Sequence, residues 1–349
     1  MKKRITLNML FLLVFSVSGY AQEIHTIIKG KVHNWPTDTI YLSELPFHSP
    51  YSRSVKYQLI SDDSTFTFQF EKVKIPFVLY LSPDKKLINQ NFQSLLFDNL
   101  TDKHYYGHCA KFYTHGLTTH LIGPGEKLEI DIIYKGWDKA KLEFTGSDSF
   151  QNYYYQKSFA LDNTIDKRLE LYASKSMKIV IAQLKKVTQK LLARLEKEKE
   201  KLSPLFYDYI KAEIEFGARK EFLKFLRFSK ETEMQSLFSE EIPKEIMDVV
   251  EFDKSKINEA ILISEEYNEY LELYLNFKMN IINKKHILYN EFSMQKCQIA
   301  IKVLPEESIY YYLANHLIQY PEVEFFDDLV SELIKRYPEG ELNDVLLEI

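Results

Sequence analysis

A chain of 349 residues, of which 45% are hydrophobic and 27% charged, is long enough for two domains and too apolar to be disordered. Its formal net charge of −5 argues against nucleic acid and anionic lipid as partners, because both attract basic proteins. Ten glycines are few for this length, which favours long helices over an all-β fold.

Residues 1–21 have the pattern of a secretory signal peptide. A basic head at residues 2–4 precedes a short apolar run over residues 9–17, and the small residues Gly19 and Ala21 allow cleavage after them. The run is shorter than the roughly 20 apolar residues of a membrane-spanning helix, so no transmembrane segment is expected in the mature chain. No cysteine follows it, which argues against a lipoprotein. We expect export to the periplasm or envelope, where loss of three positive charges takes the net charge from −5 to −8.

Residues 22–146 are predicted to form an antiparallel β-sandwich domain. Phe66, Phe68 and Phe70 alternate with polar residues, the period of a half-buried strand. Seven to nine such short segments, separated by turn residues, are typical of a sandwich or barrel. The predicted strands cover residues 24–32, 39–42, 54–60, 65–70, 77–81, 110–114, 117–122, 127–134 and 141–144.

Residues 147–349 are predicted to form an α-helical domain, a stacked array that begins with Ser147 as an N-cap. One helix face is marked by apolar residues spaced four, three, four and four apart: Val180, Leu184, Val187, Leu191 and Leu195. Another long helix is predicted from Ser255, with Ile257, Ile261, Leu271, Leu275 and Ile282 on its buried stripe. Further helices are predicted over residues 286–303 and to begin at Pro204, Pro305, Pro321 and after Gly340. No fixed repeat period is present.

The turn and strand over residues 122–132, IGPGEKLEIDI, resemble a unit of exported TlpA-like thioredoxin-family proteins. The segments LEFTGS (142–147), DDSTFTF (62–68), PFVLYL (76–81) and LIKRYP (333–338) are similar to further parts of the same proteins. The resemblance implies a β-domain of unknown function followed by a helical region, and in that family a thioredoxin domain comes next. This chain has no Cys-x-x-Cys and ends where that domain is expected to begin. The resemblance therefore implies an architecture and a compartment, but no catalytic residue.

Histidines and a cysteine concentrate in one short stretch: His104, His108, Cys109, His115 and His120. Imidazole and thiolate ligands suit zinc or copper, so this cluster is a candidate metal site. The alternative, which the irregular spacing favours, is a polar loop and strand edge without a metal. No cofactor is expected.

Cys109 and Cys297 are the two cysteines, and they lie in different predicted domains. Two separate small apolar residues are the favoured interpretation. A disulfide is the alternative in an exported protein.

Two runs of three tyrosines, residues 153–155 and 310–312, could stack on sugars or peptides. Three successive helical residues point in three directions, however, so packing is the favoured explanation. The acidic pairs at 265–266, 306–307 and 327–328 are predicted to be solvated, and no hydrolase or phosphate-binding motif is present.

The leading hypothesis is a non-catalytic exported envelope protein with an interaction or scaffold role. One alternative is a partner of a separately encoded or lost thioredoxin domain in thiol–disulfide exchange, and an open frame encoding Trp-Cys-x-x-Cys just downstream would favour it. Another alternative is a glycan- or peptide-binding module that uses a tyrosine-rich sheet edge. An envelope protein or a separate thioredoxin-like domain is the expected partner.

Overall fold

The protein, seen in a computed structural model, is of the α+β class, with strands in the first half of the chain and helices in the second. The structure describes residues 25–46, 54–70, 77–83, 118–123, 125–135, 140–145, 176–228, 235, 237–239, 241–262, 264–285, 293–340 and 342–348. The coarse prediction of strands followed by helices is confirmed. The predicted signal peptide, the strand over residues 110–114 and the cap Ser147 lie outside these ranges.

The strands of the described ranges agree with the alternation in the sequence to within a few residues. They are β1 (Thr26–His33), β2 (Thr39–Pro46), β3 (Ser54–Leu59), β4 (Thr65–Phe70), β5 (Phe77–Ser82), β6 (Thr118–Ile122), β7 (Lys127–Tyr134) and β8 (Ala140–Thr145). They form two four-stranded sheets, with the strand orders β4-β1-β7-β8 and β3-β2-β5-β6.

One pairing contradicts the prediction of a wholly antiparallel domain. β1 and β7 run parallel, with Ile28 opposite Leu128, whereas the other described pairs are antiparallel. The chain enters both strands at the same end of the sheet, where the Ile27 N–H donates to the Glu126 carbonyl at 2.9 Å. Alternation identifies a strand but does not determine the direction of its neighbour, so the first sheet is mixed.

The turn that leads into β7 is held by the first residue of β1. Gly125 has a φ of 74°, a backbone conformation that favours glycine. The buried Thr26 hydroxyl accepts from the Gly125 N–H at 2.9 Å and donates to the Gly123 carbonyl at 3.3 Å. The Glu126 carboxylate accepts from the Gly123 N–H at 2.9 Å. These contacts fix the turn before β7, with Gly125 at its positive φ.

Both sheets contribute inward-facing residues to one hydrophobic core. The first sheet provides Ile28, Val32, Phe66, Phe68, Phe70, Leu128, Ile130 and Ile132, and the second provides Ile40, Leu42, Leu81 and Ile122. Gly30 is a point of close approach in the first sheet. A Cβ built on it would lie 1.9 Å from the Ile130 carbonyl oxygen, so only glycine fits there.

The helices of the described ranges begin at residue 177. They are α1 (Met177–Glu198), α2 (Pro204–Phe228), α3 (Lys244–Val250), α4 (Glu259–Leu262), α5 (Glu265–Asn283), α6 (Met294–Val303), α7 (Glu306–Gln319), α8 (Phe326–Arg336) and α9 (Asn343–Glu348). Short 3₁₀ turns occupy Lys199–Lys201 and Lys254–Lys256. α1 buries Val180, Leu184 and Leu195, as the apolar spacing predicted.

Several predicted helix limits are confirmed and others are wrong. The restarts at Pro204 and after Pro305 and Gly340 are confirmed. The single helix predicted from Ser255 is wrong, because the Ser264 hydroxyl accepts from the Tyr267 N–H at 3.1 Å and starts α5 there. Ile282 of its predicted buried stripe is 57% exposed in the last turn of α5. Two other helices begin later than predicted. α6 begins at Met294 and is capped by Ser293, whereas residues 286–292 of the predicted helix lie outside the described ranges. α8 begins at Phe326, and Pro321 lies in a turn before it.

Helix packing follows the chain. α1 packs on α2, α2 on α5, α5 on α6 and α6 on α7, while α7 contacts both α8 and α9. A single hydrophobic cluster extends from Val180 in α1 to Leu346 in α9. This packing places polar side chains of α5, α6 and α7 against one another inside the helical region.

Candidate functional site

Of the five predicted metal ligands, one lies within the described residues. His104, His108, Cys109 and His115 lie outside the described residues, and His120 lies on β6, which pairs with β5. In the part of the chain that the structure describes, no three His, Cys, Asp or Glu side chains are grouped so that they could hold a metal ion. The cluster over residues 104–120 stays a prediction.

Cys297 lies in α6 as a free, fully buried thiol. Burial raises the pKa of this thiol to about 12. The thiolate is the reactive form of cysteine, so a thiol that stays protonated at neutral pH is a poor nucleophile. Cys109, the other cysteine, lies outside the described residues.

A largely buried polar cluster joins α5, α6 and α7, and we call it the Glu272 cluster: Glu272, Lys296, Tyr312 and His316. Lys296 Nζ donates to Glu272 Oε1 at 2.5 Å, and the Lys296 side chain is only 1% exposed. Tyr312 Oη donates to Glu272 Oε2 at 2.9 Å. His316 Nε2 lies 3.1 Å from the same oxygen. One carboxylate thus gathers donors from two neighbouring helices.

The charges around Glu272 decide its protonation state. Burial alone would raise the pKa of Glu272, but the hydrogen bond and charge of His316 and the charge of Lys296 outweigh it and hold the pKa well below the usual range. The pKa of Tyr312 is raised well above its usual value, first by burial and then by the charge of Glu272. Glu272 is therefore an ionised acceptor and a weak base at neutral pH.

His316 lies between two acceptors. Its Nδ1 is 2.9 Å from the Tyr312 carbonyl oxygen and its Nε2 faces the Glu272 carboxylate. A neutral imidazole has one N–H donor, whereas the imidazolium has two, so only the charged ring donates to both acceptors. The ring also packs on Tyr312, with centroids 4.2 Å apart. These contacts fix the ring on α7 and occupy both of its nitrogens.

A second buried network ties α2 to α5 through Lys220. Its Nζ lies 2.5 Å from Glu266 Oε2 and 3.0 Å from Glu269 Oε2. Burial alone would lower the pKa of Lys220, yet Glu266, Glu269 and Glu221 raise it well above its usual value. The prediction that the pair 265–266 is solvated is wrong for Glu266, because its side chain faces α2 and is nearly buried. Asp327 and Asp328 of α8 are exposed, as predicted.

The tyrosines of the helical region are mainly packing residues. Tyr310 and Tyr312 are buried and Tyr311 is partly exposed, which confirms that the run over residues 310–312 contributes to the core. In α5, Tyr267 and Tyr270 are fully buried and hydrogen-bonded: their hydroxyls lie 2.6 Å from Ser308 Oγ and 2.8 Å from the Val250 carbonyl. The run over residues 153–155 lies outside the described ranges.

The two polar networks were not predicted from the sequence, although the spacing of aromatic residues in α5 indicates a buried helix face. Tyr267, Tyr270, Tyr274 and Phe277 are spaced three, four and three apart, the period of a buried helix face. Glu272 and Lys296 show no pattern of their own, since charged residues are normally placed on solvated faces. Their pairing depends on how α5 and α6 meet.

An apolar surface is present on the edge strand β3. β3 ends its sheet in the described strand order, and Tyr57 and Leu59 are 70% and 62% exposed. The ring of Tyr57 lies 6.4 Å from that of Tyr41 on β2. Edge strands can pair with added strands, and large exposed apolar side chains favour contact with a partner.

Comparisons of the chain with protein-family models, with curated proteins and with solved structures found no match. Among the helices of the described ranges, none combines the length and apolar character needed to cross a membrane.

Proposed function

We propose that the chain is a non-catalytic exported protein with an interaction or scaffold role in the cell envelope. The Glu272 cluster carries this proposal. Both oxygens of Glu272 are occupied by donors from α6 and α7, and its lowered pKa makes it a weak base. The ionisable groups of this cluster are paired with one another across the helices, and their role is to stabilise helix packing.

The architecture proposed is that of the front half of TlpA-like proteins: a β-sandwich followed by a stacked helical array. The sandwich is supported by the single core that residues of both sheets share, for example Ile28 and Ile40. The array is supported by helix packing that follows the chain from α1 to α9. Export is supported by the signal-peptide pattern of residues 1–21.

An insulin reduction assay tests whether the chain lacks thiol–disulfide reductase activity. The chain without residues 1–21 is expected to leave insulin disulfides intact, because the Cys297 thiol is buried and its pKa is about 12. The matched control is the variant with both Cys109→Ser and Cys297→Ser. Reduction that the wild type performs and this variant does not would overturn the proposal. Cell fractionation of the full chain tests export, and accumulation of uncleaved protein inside the cell would contradict it.

A peptide-binding role is a second candidate, and the exposed surface of β3 favours it. An extended peptide could add to β3 as a further strand, with its apolar side chains against Tyr57 and Leu59. A peptide array probed with the chain tests this role, with the Tyr57→Ser and Leu59→Ser double variant as control. We expect alternating apolar peptides to bind the wild type and not the variant. An array or glycan panel without binders would remove this candidate.

A further inference from the structure

The charges of the described helical region are divided between its two ends. From Ser176 to Lys197 the sequence contains six basic residues and one acidic residue, Glu196. Residues 321–349 contain nine acidic residues and two basic ones. The net charge of the whole chain does not show this asymmetry. Separated patches of opposite charge can steer the association of two molecules.

The basic side chains of α1 point away from its packing partner. α1 packs on α2 through its buried residues Val180, Leu184 and Leu195. Its exposed lysines, which we call the basic face, are Lys178, Lys185, Lys186, Lys190 and Lys197. The ion pairs of this segment use Lys199 and Lys201 instead. Among the described residues, therefore, no ion pair neutralises the basic face.

The acidic end comprises the exposed acids of α8, α9 and the turns beside them: Glu322, Glu324, Asp327, Asp328, Glu332, Glu339, Asp344 and Glu348. Of the two basic residues in this segment, Arg336 is already paired with Glu306 of α7 at 2.6 Å. Lys335 is left to offset the acidic side chains. This surface keeps a strong negative charge.

The basic face lies on the first helix of the packed series and the acidic end on the last two. α1 packs on α2, whereas α8 and α9 pack on α7 and on each other. The ion pairs of the described residues do not join the basic face to the acidic end. Each surface is therefore available to another molecule.

We propose that the basic face of α1 docks on the acidic end of a second copy of this chain. Charge complementarity supports this contact, since a single chain carries both members of the pair. The contact is heterologous, so a docked pair still has one free basic face and one free acidic end, and assembly continues head to tail. This inference rests on the interaction role proposed above and names a second copy as the partner.

The association is expected to be weak and sensitive to salt. Its contacts are exposed ion pairs, each of which contributes little, and ions screen them over about 10 Å at 0.1 M salt. Several pairs must act together. The partner is a second copy and not an anionic membrane because the net negative charge of the chain opposes approach to anionic lipid.

Sedimentation of the chain without residues 1–21 tests the assembly. We expect the weight-average mass to rise with protein concentration in 20 mM NaCl and to fall to the monomer mass in 300 mM NaCl. A monomer at both salt concentrations over the whole concentration range would overturn the proposal.

Charge reversal tests the two surfaces. The first variant carries Lys185→Glu, Lys186→Glu and Lys190→Glu. The second carries Glu322→Lys, Glu324→Lys and Glu339→Lys, which lie outside the helices of the acidic end. Each variant alone is expected to associate at least tenfold more weakly than the wild type at low salt. An equimolar mixture is expected to recover association as a heterodimer, because the intact basic face of the second variant docks on the intact acidic end of the first.

The control variant carries Lys31→Glu, Lys254→Glu and Lys302→Glu, three exposed positions outside both surfaces. Its net charge changes by the same amount as that of the first variant. It is expected to associate as the wild type does, and circular dichroism confirms folding in every variant. Equal loss of association in the control, or no recovery in the mixture, would refute the docking.

Binding to phosphatidylglycerol vesicles by a chain that stays monomeric would assign the basic face to lipid. The reductase and fractionation assays do not depend on assembly, so either proposal can fail alone.

Discussion

The β region and the helical region bury their side chains under different rules. In the described strands the buried set contains aliphatic, aromatic and a few uncharged polar side chains, and the Lys29–Glu129 ion pair lies on an exposed face. In the helical region the side chains of Lys220 and Lys296 are buried and are paired with carboxylates that are partly or nearly buried. Stability in the first region depends on shape, and in the second it also depends on matched charges.

The largest effect is expected from a purely steric change in the β region. Gly30→Ala places a Cβ 1.9 Å from the Ile130 carbonyl oxygen, so β1 and β7 must move apart. We expect a loss of roughly 3 kcal/mol or more in the free energy of unfolding, measured by chemical denaturation. Gly123→Ala is the control, because its Cβ would meet the flexible Glu126 side chain at 3.2 Å. Equal stability of the Gly30→Ala variant and the wild type would contradict the close packing of β1 on β7.

The next effect concerns a thiol in the helical core. Burial raises the pKa of Cys297 from 9.0 to about 12, which lowers its thiolate fraction by about 1,000-fold. In a Cys109→Ser background, native protein is expected to react with Ellman's reagent at least that much more slowly than denatured protein. The measurement is the absorbance of the released chromophore at pH 8. Rapid native reaction would show that this core opens readily.

Glu272→Gln should break the charge balance of α5, α6 and α7. It leaves Lys296 buried without its carboxylate, and loss of one partner of a buried pair typically costs 3–5 kcal/mol. About a third of the Glu272 side chain is exposed, so we expect roughly 2–4 kcal/mol in denaturant unfolding. A cost below about 1 kcal/mol would mean that the helical region tolerates an unpaired buried lysine.

The same pair gives a pH dependence with a defined sign. The pKa of Glu272 in the folded protein lies below its usual 4.5, so the stabilisation is present above that pH and is lost as pH falls toward the folded value. The difference in unfolding free energy between wild type and Glu272→Gln should therefore shrink between pH 6 and pH 3. Denaturation at several pH values measures it. A constant difference across this range would exclude Glu272 as the titrating group.

The β region was the more predictable of the two from sequence. Alternation located β4 and β7 with the limits that the structure shows. The direction of β7 relative to β1 could not be predicted, because a period of two is the same in parallel and antiparallel strands. The wide separation of these strands in sequence gave no local constraint on their pairing.

The helical region was predictable in its apolar faces and not in its charged interior. Val180 and Leu184 follow a regular spacing and are buried. Glu266 looked like half of a solvated acidic pair, but packing of α2 on α5 places it beside Lys220. Such a contact depends on the rotation of two helices about their axes, which a single sequence does not show. The Glu272 cluster was missed for the same reason.

The smallest expected effect tests whether the contribution of an ion pair to stability depends on its burial and not on its charges alone. Arg336 donates to both oxygens of Glu306, at 2.9 and 2.6 Å, and this lowers the pKa of Glu306. The pair has better geometry than most, yet the Glu306 side chain is 55% exposed. Solvent and salt screen such a pair, so Glu306→Gln should cost less than about 1 kcal/mol of unfolding free energy. The cost should fall further in 1 M NaCl, whereas that of Glu272→Gln should change little. If both variants lose the same free energy and respond equally to salt, burial does not set the strength of these pairs.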